Sequence, residues 1–277
     1  TVLKWAKKEV DGETKISSRP ISIDFLEVRK KLGPIDWLVK DYIERDTVGL
    51  FFGDPGSYKS FLAMDIAYHC ATGKNWHGSA VVKGPVYYIA GEGQGGIARR
   101  QEAWLKHHKP DISDMNFRFT EVAMDFYDSK SAELITRDIE EWAEIDGNPV
   151  LIVIDTLARN FNGDENSASE MGTFINNVNH YLRVPFECVV LIVHHTGHSA
   201  KDRARGSMAL KGGIDFEYRV EKSKTVPLGV ELSCTKMKDA EEPDKTLFEG
   251  GKVNLIFPEE GEELMTSLVF EKTNVVE

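Results

Sequence analysis

The sequence has 277 residues, 41% of them hydrophobic, a length that suits one large α/β domain or two small ones. Its net charge of −11 excludes a protein coated with basic residues for wrapping nucleic acid, although a local basic channel remains compatible with it. No apolar run approaches the roughly 18 residues of a membrane span, so we expect no membrane partner. The cysteines, Cys70, Cys188 and Cys234, are far apart and show no metal-binding spacing, which favours reduced thiols in a cytoplasmic protein.

Residues 1–45 are predicted to form a lead-in segment. Lys, Glu and Ser dominate up to Pro20, and the pattern predicts a short helix over 23–32 that Gly33 and Pro34 end. The chain starts with Thr1 and shows no signal-peptide pattern, so we interpret it as compatible with a fragment of a longer protein. The main domain is expected over residues 46–277.

Short apolar runs alternate with amphipathic segments from Thr47 onward. The apolar runs suit strands that are buried on both faces of a parallel sheet, and they lie at 48–52, 85–90, 149–154 and 188–194. Helical patterns lie at 60–72, 97–107, 131–145 and 167–183, and the last of these opens with Ser167 and Glu170 in capping-box spacing. This alternation predicts a doubly wound, mostly parallel α/β sheet flanked by helices.

Strand patterns follow one another without helices after Gly213. They lie at 216–220, 228–235 and 253–257. We therefore expect a C-terminal antiparallel extension of the sheet from about residue 214.

Residues 53–60, GDPGSYKS, match the phosphate-binding motif G-x-x-x-x-G-K-[ST] except at Tyr58, where the motif has glycine. Such a loop points backbone N–H groups at phosphates, its lysine adds positive charge and its hydroxyl binds Mg²⁺. A helical pattern follows directly, which places a helix N-terminus beside the phosphates. Tyr58 requires a negative φ or some strain, and its side chain must point away from the phosphates. The alternative is a plain Gly/Pro turn between strand and helix.

Two carboxylates follow buried strands. Asp155 ends the run VLIVIDT, a position typical of a residue that holds Mg²⁺; the alternative is a helix N-cap. Glu92 lies among glycines at the end of VYYIAGEGQGG, and it is the candidate that positions water for ATP hydrolysis. The alternative for Glu92 is an ordinary glutamate of a surface loop.

In their order along the chain, these segments resemble the RepA-type hexameric replicative helicases of plasmids and phage-like elements, which are RecA-like P-loop ATPases. The resemblance spans most of residues 34–220 and rests on GDPGSYKSFLAMDIA (53–67), YIAGEGQGGIARRQEAW (88–104), LIVIDTLARNF (151–161), LIVHHTG (191–197) and RARGSMALKGGID (203–215). It implies a RecA-like ATPase domain over residues 46–277, with ATP and Mg²⁺ as cofactors. It also implies a homo-hexamer that binds single-stranded DNA and works with primase or replication-initiator proteins.

The resemblance assigns roles to individual residues. Lys59 and Ser60 are expected to contact the β/γ-phosphates and Mg²⁺, Asp155 to support the metal, and Glu92 to activate water. Arg100 matches an arginine near the phosphates, and His195 fits a γ-phosphate sensor, whereas His194 is expected to cap its strand. The implied nucleotide-binding residues are Gly53, Asp54, Pro55, Gly56, Ser57, Tyr58, Lys59, Ser60 and Phe61.

Two loops of this resemblance, 157–170 and 196–213, would line a central DNA channel. Asp164 and Glu165 make the first loop acidic, so we expect DNA contact there only through Arg159 and Asn160. The second loop is basic, which suits a local track for phosphates, although a solvated flexible loop is an open alternative. Its candidates for contact with DNA or with the neighbouring subunit are Lys201, Arg203, Arg205 and Lys211.

The family pattern has an arginine near the position of Asp215, where this sequence has none. Arg205 and Lys211 are the nearby candidates for a residue that reaches the neighbouring active site. Arg205 is favoured for DNA or trans contact, and Lys211 for the phosphate of the adjacent site.

Three functions are compatible with these features. The favoured one is an ATP-driven DNA helicase for replication of a plasmid, phage or integrated element. The main alternative is a RecA-like regulatory switch that binds ATP and a partner protein without unwinding DNA. A strand-exchange recombinase is less favoured, because no separate polymerisation motif is present.

Overall fold

The computed structural model describes residues 9–10, 13–14, 22, 24–30, 33–91, 94–197, 203–255 and 265–273. The strands are β1 (Glu9–Val10), β2 (Glu13–Thr14), β3 (Trp37–Val39), β4 (Ile43–Glu44), β5 (Val48–Gly53), β6 (Val86–Ala90), β7 (Phe117–Phe119), β8 (Leu151–Asp155), β9 (Val189–His195), β10 (Phe216–Lys222), β11 (Val230–Met237), β12 (Thr246–Leu255) and β13 (Met265–Thr273). The α-helices are α1 (Phe25–Arg29), α2 (Lys59–Thr72), α3 (Gln94–His108), α4 (Ser129–Asp146), α5 (Ala168–Val178), α6 (Val184–Phe186) and α7 (Met208–Gly213). A 3₁₀ turn covers Leu157–Arg159, and a π-helical turn covers Asn179–Arg183.

The main sheet has nine strands among the described residues, in the order β13-β12-β11-β10-β5-β9-β8-β6-β7. The neighbours from β10 to β7 all pair in parallel. Parallel strands need crossover connections, and helices α2 to α5 lie in the connections between them. The predicted doubly wound α/β sheet is confirmed.

The antiparallel extension begins one strand later than the sequence predicts. Strand β10 starts at Phe216, within the predicted extension, yet it pairs in parallel with β5. The antiparallel pairs are β10–β11, β11–β12 and β12–β13. The direction of β10 follows from its long-range pairing with β5, which its own residues do not reveal.

The central strands are buried on both faces because each face is covered by its own hydrophobic layer. In β5, Phe51 packs into one layer while Leu50 and Phe52 pack into the other. Helix α2 covers the first face, and α4 and α5 cover the second. The first layer also contains Leu38 and Ile43, which lie in the segment that the sequence analysis assigns to the lead-in.

The helix that was predicted over 167–183 is not a single α-helix. Its α-helical part ends at Val178 and the chain continues as the π-helical turn. Ser167 accepts from the backbone N–H of Glu170, as a capping box requires, but the Glu170 carboxylate accepts from the backbone N–H of Asp164 instead of that of Ser167. Of the helix predicted over 23–32, the described part is α1.

None of the helices within the described ranges combines the length and apolarity needed to cross a bilayer.

Candidate nucleotide-binding site

The carboxyl ends of β5, β8 and β9 meet at one edge of the sheet. Gly53 lies in register with His195, and Asp155 with Val193. Ligands of open α/β sheets bind in the crevice beyond this edge. The fold therefore brings the phosphate-loop motif, the strand-end aspartate and the predicted sensor histidine together.

Glycine is required at two positions of the loop. At Gly53 an added Cβ would lie 2.1 Å from the carbonyl oxygen of Val220 on β10, so no side chain fits. At Gly56 the φ of 75° is a conformation that favours glycine. The loop's conformation thus depends on its close packing against β10.

Tyr58 also has a left-handed backbone, with φ 70° and ψ 17°, directly before the first residue of α2. This conformation costs a residue with a Cβ about 1–2 kcal/mol. The strain predicted for a non-glycine residue at this motif position is therefore present. The ring packs against Phe61 and Phe270, with centroids 5.9 Å and 5.1 Å away, and Lys222 lies over it at 5.2 Å. The side chain is thus held in an aromatic cluster that anchors the loop to β13.

We expect Tyr58→Gly to bind nucleotide like the wild type, because the backbone conformation that presents the N–H groups is one that glycine adopts without strain. The thermal midpoint should fall, because two aromatic pairs of about 0.5–1.5 kcal/mol each are lost together with the apolar burial of the ring, and this sum exceeds the relieved strain of about 1–2 kcal/mol. Calorimetric titration with a non-hydrolysable ATP analogue and thermal unfolding measure the two effects. Loss of binding in a folded variant would contradict this role of Tyr58.

Lys59 is the first residue of α2, and 5% of it is exposed. Its ammonium donates to the carbonyl oxygens of Gly53 and Asp54, both at 2.9 Å. Burial lowers the pKa of Lys59 to about 8, against the opposing effect of the Asp155 and Asp54 carboxylates nearby. A phosphate group would supply the negative charge that a buried ammonium needs.

Asp155 ends β8, and its carboxylate accepts a hydrogen bond of 2.6 Å from the hydroxyl of Tyr88 on β6. Sequence reasoning missed Tyr88, because the two residues are 67 positions apart and only the pairing of β6 with β8 brings them together. The hydroxyl fixes the carboxylate beside Lys59, where it can hold a hydrated cation. The N-cap alternative for Asp155 finds no support, since the 3₁₀ turn that follows has Thr156 at its N-cap.

His194 and His195 have different surroundings at the end of β9. His194 is fully buried, and its Nε2 lies 3.1 Å from the carbonyl oxygen of Arg205, so that this nitrogen is the donor. Burial lowers the pKa of His194 to about 3, which keeps its ring neutral. His195 is only partly buried and lies beside Gly53 in the sheet register. This arrangement matches the predicted strand-capping role for His194 and leaves His195 as the candidate sensor.

Thr196, which follows β9, contacts the phosphate loop, and the sequence did not reveal this contact. Its backbone N–H donates to the carbonyl oxygen of Gly53 at 3.1 Å, and its hydroxyl donates to the carboxylate of Asp54. Its backbone also pairs with Ala204. Thr196 therefore joins the phosphate loop directly to the segment after β9.

A cavity of about 320 Å³ opens beside the loop. Its size is at the lower end of typical ligand pockets. The phosphate loop and Thr196 line one side of the cavity. The other side is lined by charged side chains, mostly basic, at the end of β10 and just after it. The lining residues are Asp54, Pro55, Ser57, Thr196, Arg219, Glu221, Lys222 and Lys224.

The buried polar atoms near this edge without a hydrogen-bond partner among the described residues include Ser57 Oγ, Thr156 Oγ1 and Arg219 Nε. Buried polar groups are normally paired, so these atoms fit a site whose ligand brings its own polar groups. The chemistry of the set, with Lys59 and Arg219 as cations and Asp155 as a carboxylate, fits a nucleotide phosphate with Mg²⁺. The charged residues at the end of β10 were the sequence signal that could have revealed Arg219.

The structure does not bring all the predicted residues into this cavity. Phe61 lies in the aromatic cluster, and the guanidinium of Arg100 lies over its ring at 4.5 Å. Glu92 and Lys201 lie outside the described residues, so their predicted roles stay predictions. Gly91, the last described residue before Glu92, donates from its backbone N–H to the carbonyl oxygen of Asp155 at 2.7 Å.

The two loops predicted to contact DNA need one correction. Asn160 is fully buried: its side chain donates to the carbonyl of Thr156 and accepts from the N–H of Met124, so it cannot contact DNA. The sequence does not distinguish an asparagine that closes a buried turn from one that is exposed. Arg159 is exposed.

The basic segment after β9 is held by acidic partners within its own chain. Arg205 forms an ion pair of 2.8 Å with Glu165, and Lys211 forms one of 2.7 Å with the buried Glu217. Lys211 also donates to the carbonyl oxygen of Thr235. Lys211 therefore has a structural role within its own subunit, and its replacement would leave a buried carboxylate unpaired.

The comparisons with known proteins agree with this geometry. A model of the family described as "AAA domain" matches residues 14–201. Among solved structures, a KaiC-like protein from the hyperthermophilic archaeon Pyrococcus horikoshii OT3 superposes with a TM-score of 0.53 at 14% identity, covering 77% of this chain and 90% of that one. None of the curated proteins compared with the chain matches it significantly. Because the family match covers more than half of the chain, the protein belongs to the AAA domain family, and it is a P-loop ATPase with a RecA-like fold.

Proposed function

We propose that the protein is an ATP-driven DNA helicase that serves replication of a plasmid, phage or integrated element. The observation that carries the proposal is the direct connection from the phosphate loop through Thr196 to the basic segment. A motor needs such a connection, because hydrolysis at one place must change the grip on DNA at another.

The connection consists of hydrogen bonds at the end of β9. The backbone N–H of Arg205 donates to the carbonyl oxygen of His195 at 2.9 Å, and His194 donates to the carbonyl oxygen of Arg205. A phosphate that moves His195 or Thr196 would therefore move Arg205 with it. Arg203 lies two residues earlier and is exposed, so it can reach a DNA phosphate.

Chemistry at the site follows from the residues of the chain. Lys59 would bind the β/γ-phosphates, with Ser60 and Asp155 as the groups that hold Mg²⁺, which neutralises the charge that develops on the phosphoryl group. Glu92 would hold the attacking water and His195 would report whether the γ-phosphate is present. Assembly into a homo-hexamer with single-stranded DNA in its centre, and the action of primase or replication-initiator proteins as partners, are part of the same proposal.

The neighbouring subunit must supply a positive group in this proposal. Arg205 is the preferred candidate. Because 42% of its side chain is exposed, it can leave Glu165 and pair with a phosphate of the neighbouring subunit. Lys211 is less suited than the sequence suggested, since its ammonium is held by Glu217.

Unwinding of forked DNA tests the proposal, and Arg203→Ala tests the basic segment. We expect the wild type to displace a strand with ATP, and Arg203→Ala to unwind at least about tenfold more slowly, since one lost phosphate contact weakens binding. Its hydrolysis without DNA should be unchanged. Arg137→Ala, a surface arginine on α4 with 67% side-chain exposure, is the matched control and should behave like the wild type. A wild type that hydrolyses ATP but never unwinds would favour the regulatory switch instead.

A further inference from the structure

A second cluster of titratable side chains lies six residues along α2 from Lys59. His69, His77 and His108 point their Nε2 atoms at the carboxylate of Asp65, at 3.4 Å, 2.9 Å and 4.0 Å respectively. The four side chains are 2%, 3%, 5% and 5% exposed, in the order His69, His77, His108 and Asp65. Three imidazoles around one buried carboxylate have no role in the nucleotide site.

The fold assembles this cluster from separate parts of the chain. Asp65 and His69 are four residues apart on α2, which puts them on one face of the helix. His77 follows in the turn after α2, and His108 is the last residue of α3. The sequence shows no metal-binding spacing because these three elements meet only in the folded chain.

The hydrogen bonds of His69 show that a cation is needed between it and Asp65. Its Nδ1 lies 2.9 Å from the carbonyl oxygen of Lys74, which can only accept, so the proton is on Nδ1. A neutral ring then directs the lone pair of Nε2 at the Asp65 carboxylate, and this buried Nε2 has no hydrogen-bond donor in the described part of the chain. Two electron-rich atoms in this position require a proton or a metal ion between them.

Two tryptophan side chains donate hydrogen bonds to the Asp65 carboxylate, as residues around a metal site commonly do to the ligands. The indole N–H groups of Trp104 and Trp76 donate to its two oxygens, each at 2.8 Å. Ionised carboxylates and oriented imidazoles are what a metal ion binds.

We propose that Asp65, His69 and His77 bind a divalent transition-metal ion of the zinc class. Imidazole nitrogen and carboxylate oxygen suit such an ion, and one ligand atom from each of the three residues lies within 4.8 Å of the other two. Ligand atoms of a tetrahedral zinc site lie about 3.3 Å apart, and the observed separations from Asp65 bracket this value. The ion would clamp α2, which starts at the phosphate loop, to the turn that contains His77.

Cobalt(II) is the probe, because its visible absorption reports tetrahedral coordination. After treatment with chelator and dialysis, the full chain should bind a single equivalent of Co²⁺ with intense tetrahedral bands, and Zn²⁺ should displace them. The double variant His69→Gln, His77→Gln should lose the bands. His180→Gln removes an exposed histidine elsewhere and should keep them. Circular dichroism checks that each variant is folded.

A wild type that shows no tetrahedral Co²⁺ spectrum would overturn the proposal and assign the cation to a proton on His69. So would a spectrum that survives in the folded double variant. Bands that are lost in His107→Gln but survive in Asp65→Asn would place the ion at the neighbouring surface group of His107, His108 and Glu271, which also overturns it. If the double variant does not fold, thermal unfolding decides: Zn²⁺ should raise the midpoint of the wild type and of His180→Gln in proportion to the logarithm of its concentration, and no rise contradicts the site.

Discussion

Lys59→Ala is expected to abolish ATP hydrolysis while leaving the protein folded. Lys59 is the one buried cation of the phosphate loop among the residues described, and its charge is held beside the Asp155 carboxylate. Hydrogen bonds from a charged group contribute about 1.5–3 kcal/mol each, so the loss of two phosphate bonds would slow turnover by about 10²–10⁴-fold.

Steady-state phosphate release measures this effect, and Lys130→Ala is its control. Lys130 is an exposed lysine on α4, and its removal should leave turnover at the wild-type level. Circular dichroism checks that Lys59→Ala is folded, because the carbonyl oxygens of Gly53 and Asp54 lose a donor in this variant. Wild-type turnover in Lys59→Ala would show that the phosphate site has been assigned to the wrong loop.

Glu92→Gln is expected to bind ATP normally and to hydrolyse it at least about a hundredfold more slowly, because a positioned acid/base group contributes about 10²–10⁴ in rate. The amide keeps the size and hydrogen-bonding capacity of the carboxylate but cannot accept the proton of water. The prediction rests on the sequence GEGQGG and on the position of Gly91, which bonds to the backbone of Asp155.

Single-turnover hydrolysis separates the chemical step from nucleotide binding in this variant. Glu144→Gln, which changes an exposed glutamate of α4, should have no effect on either. Weakened binding of ATP in Glu92→Gln, with hydrolysis reduced only in proportion, would instead give Glu92 a structural role.

Local signals made the parallel core and the phosphate loop predictable. The runs that become β5, β8 and β9 are apolar throughout, since each strand is covered on both faces, and a glycine pattern between strand and helix marks the loop. Long-range pairing was not predictable. The direction of β10 depends on β5, and the short edge strand β7 is only half-buried, so its sequence carries little periodicity.

The candidate site was predictable only as far as its motifs reach. Lys59 and Asp155 stand at motif positions, whereas Tyr88, Thr196 and Arg219 act through contacts between strands that are distant in sequence. Lys211 was predicted to reach the adjacent site because it lies in a basic segment. In the fold it pairs with Glu217, a residue whose proximity the sequence does not reveal.

The most direct measurement is the rate of ATP hydrolysis by the wild type with and without single-stranded DNA. If hydrolysis is coupled to DNA through Thr196 and the segment after β9, single strands should raise turnover at least about tenfold, and the effect should weaken with salt as phosphate contacts do. Turnover that is the same with and without DNA, in protein that binds ATP, would contradict the proposed motor.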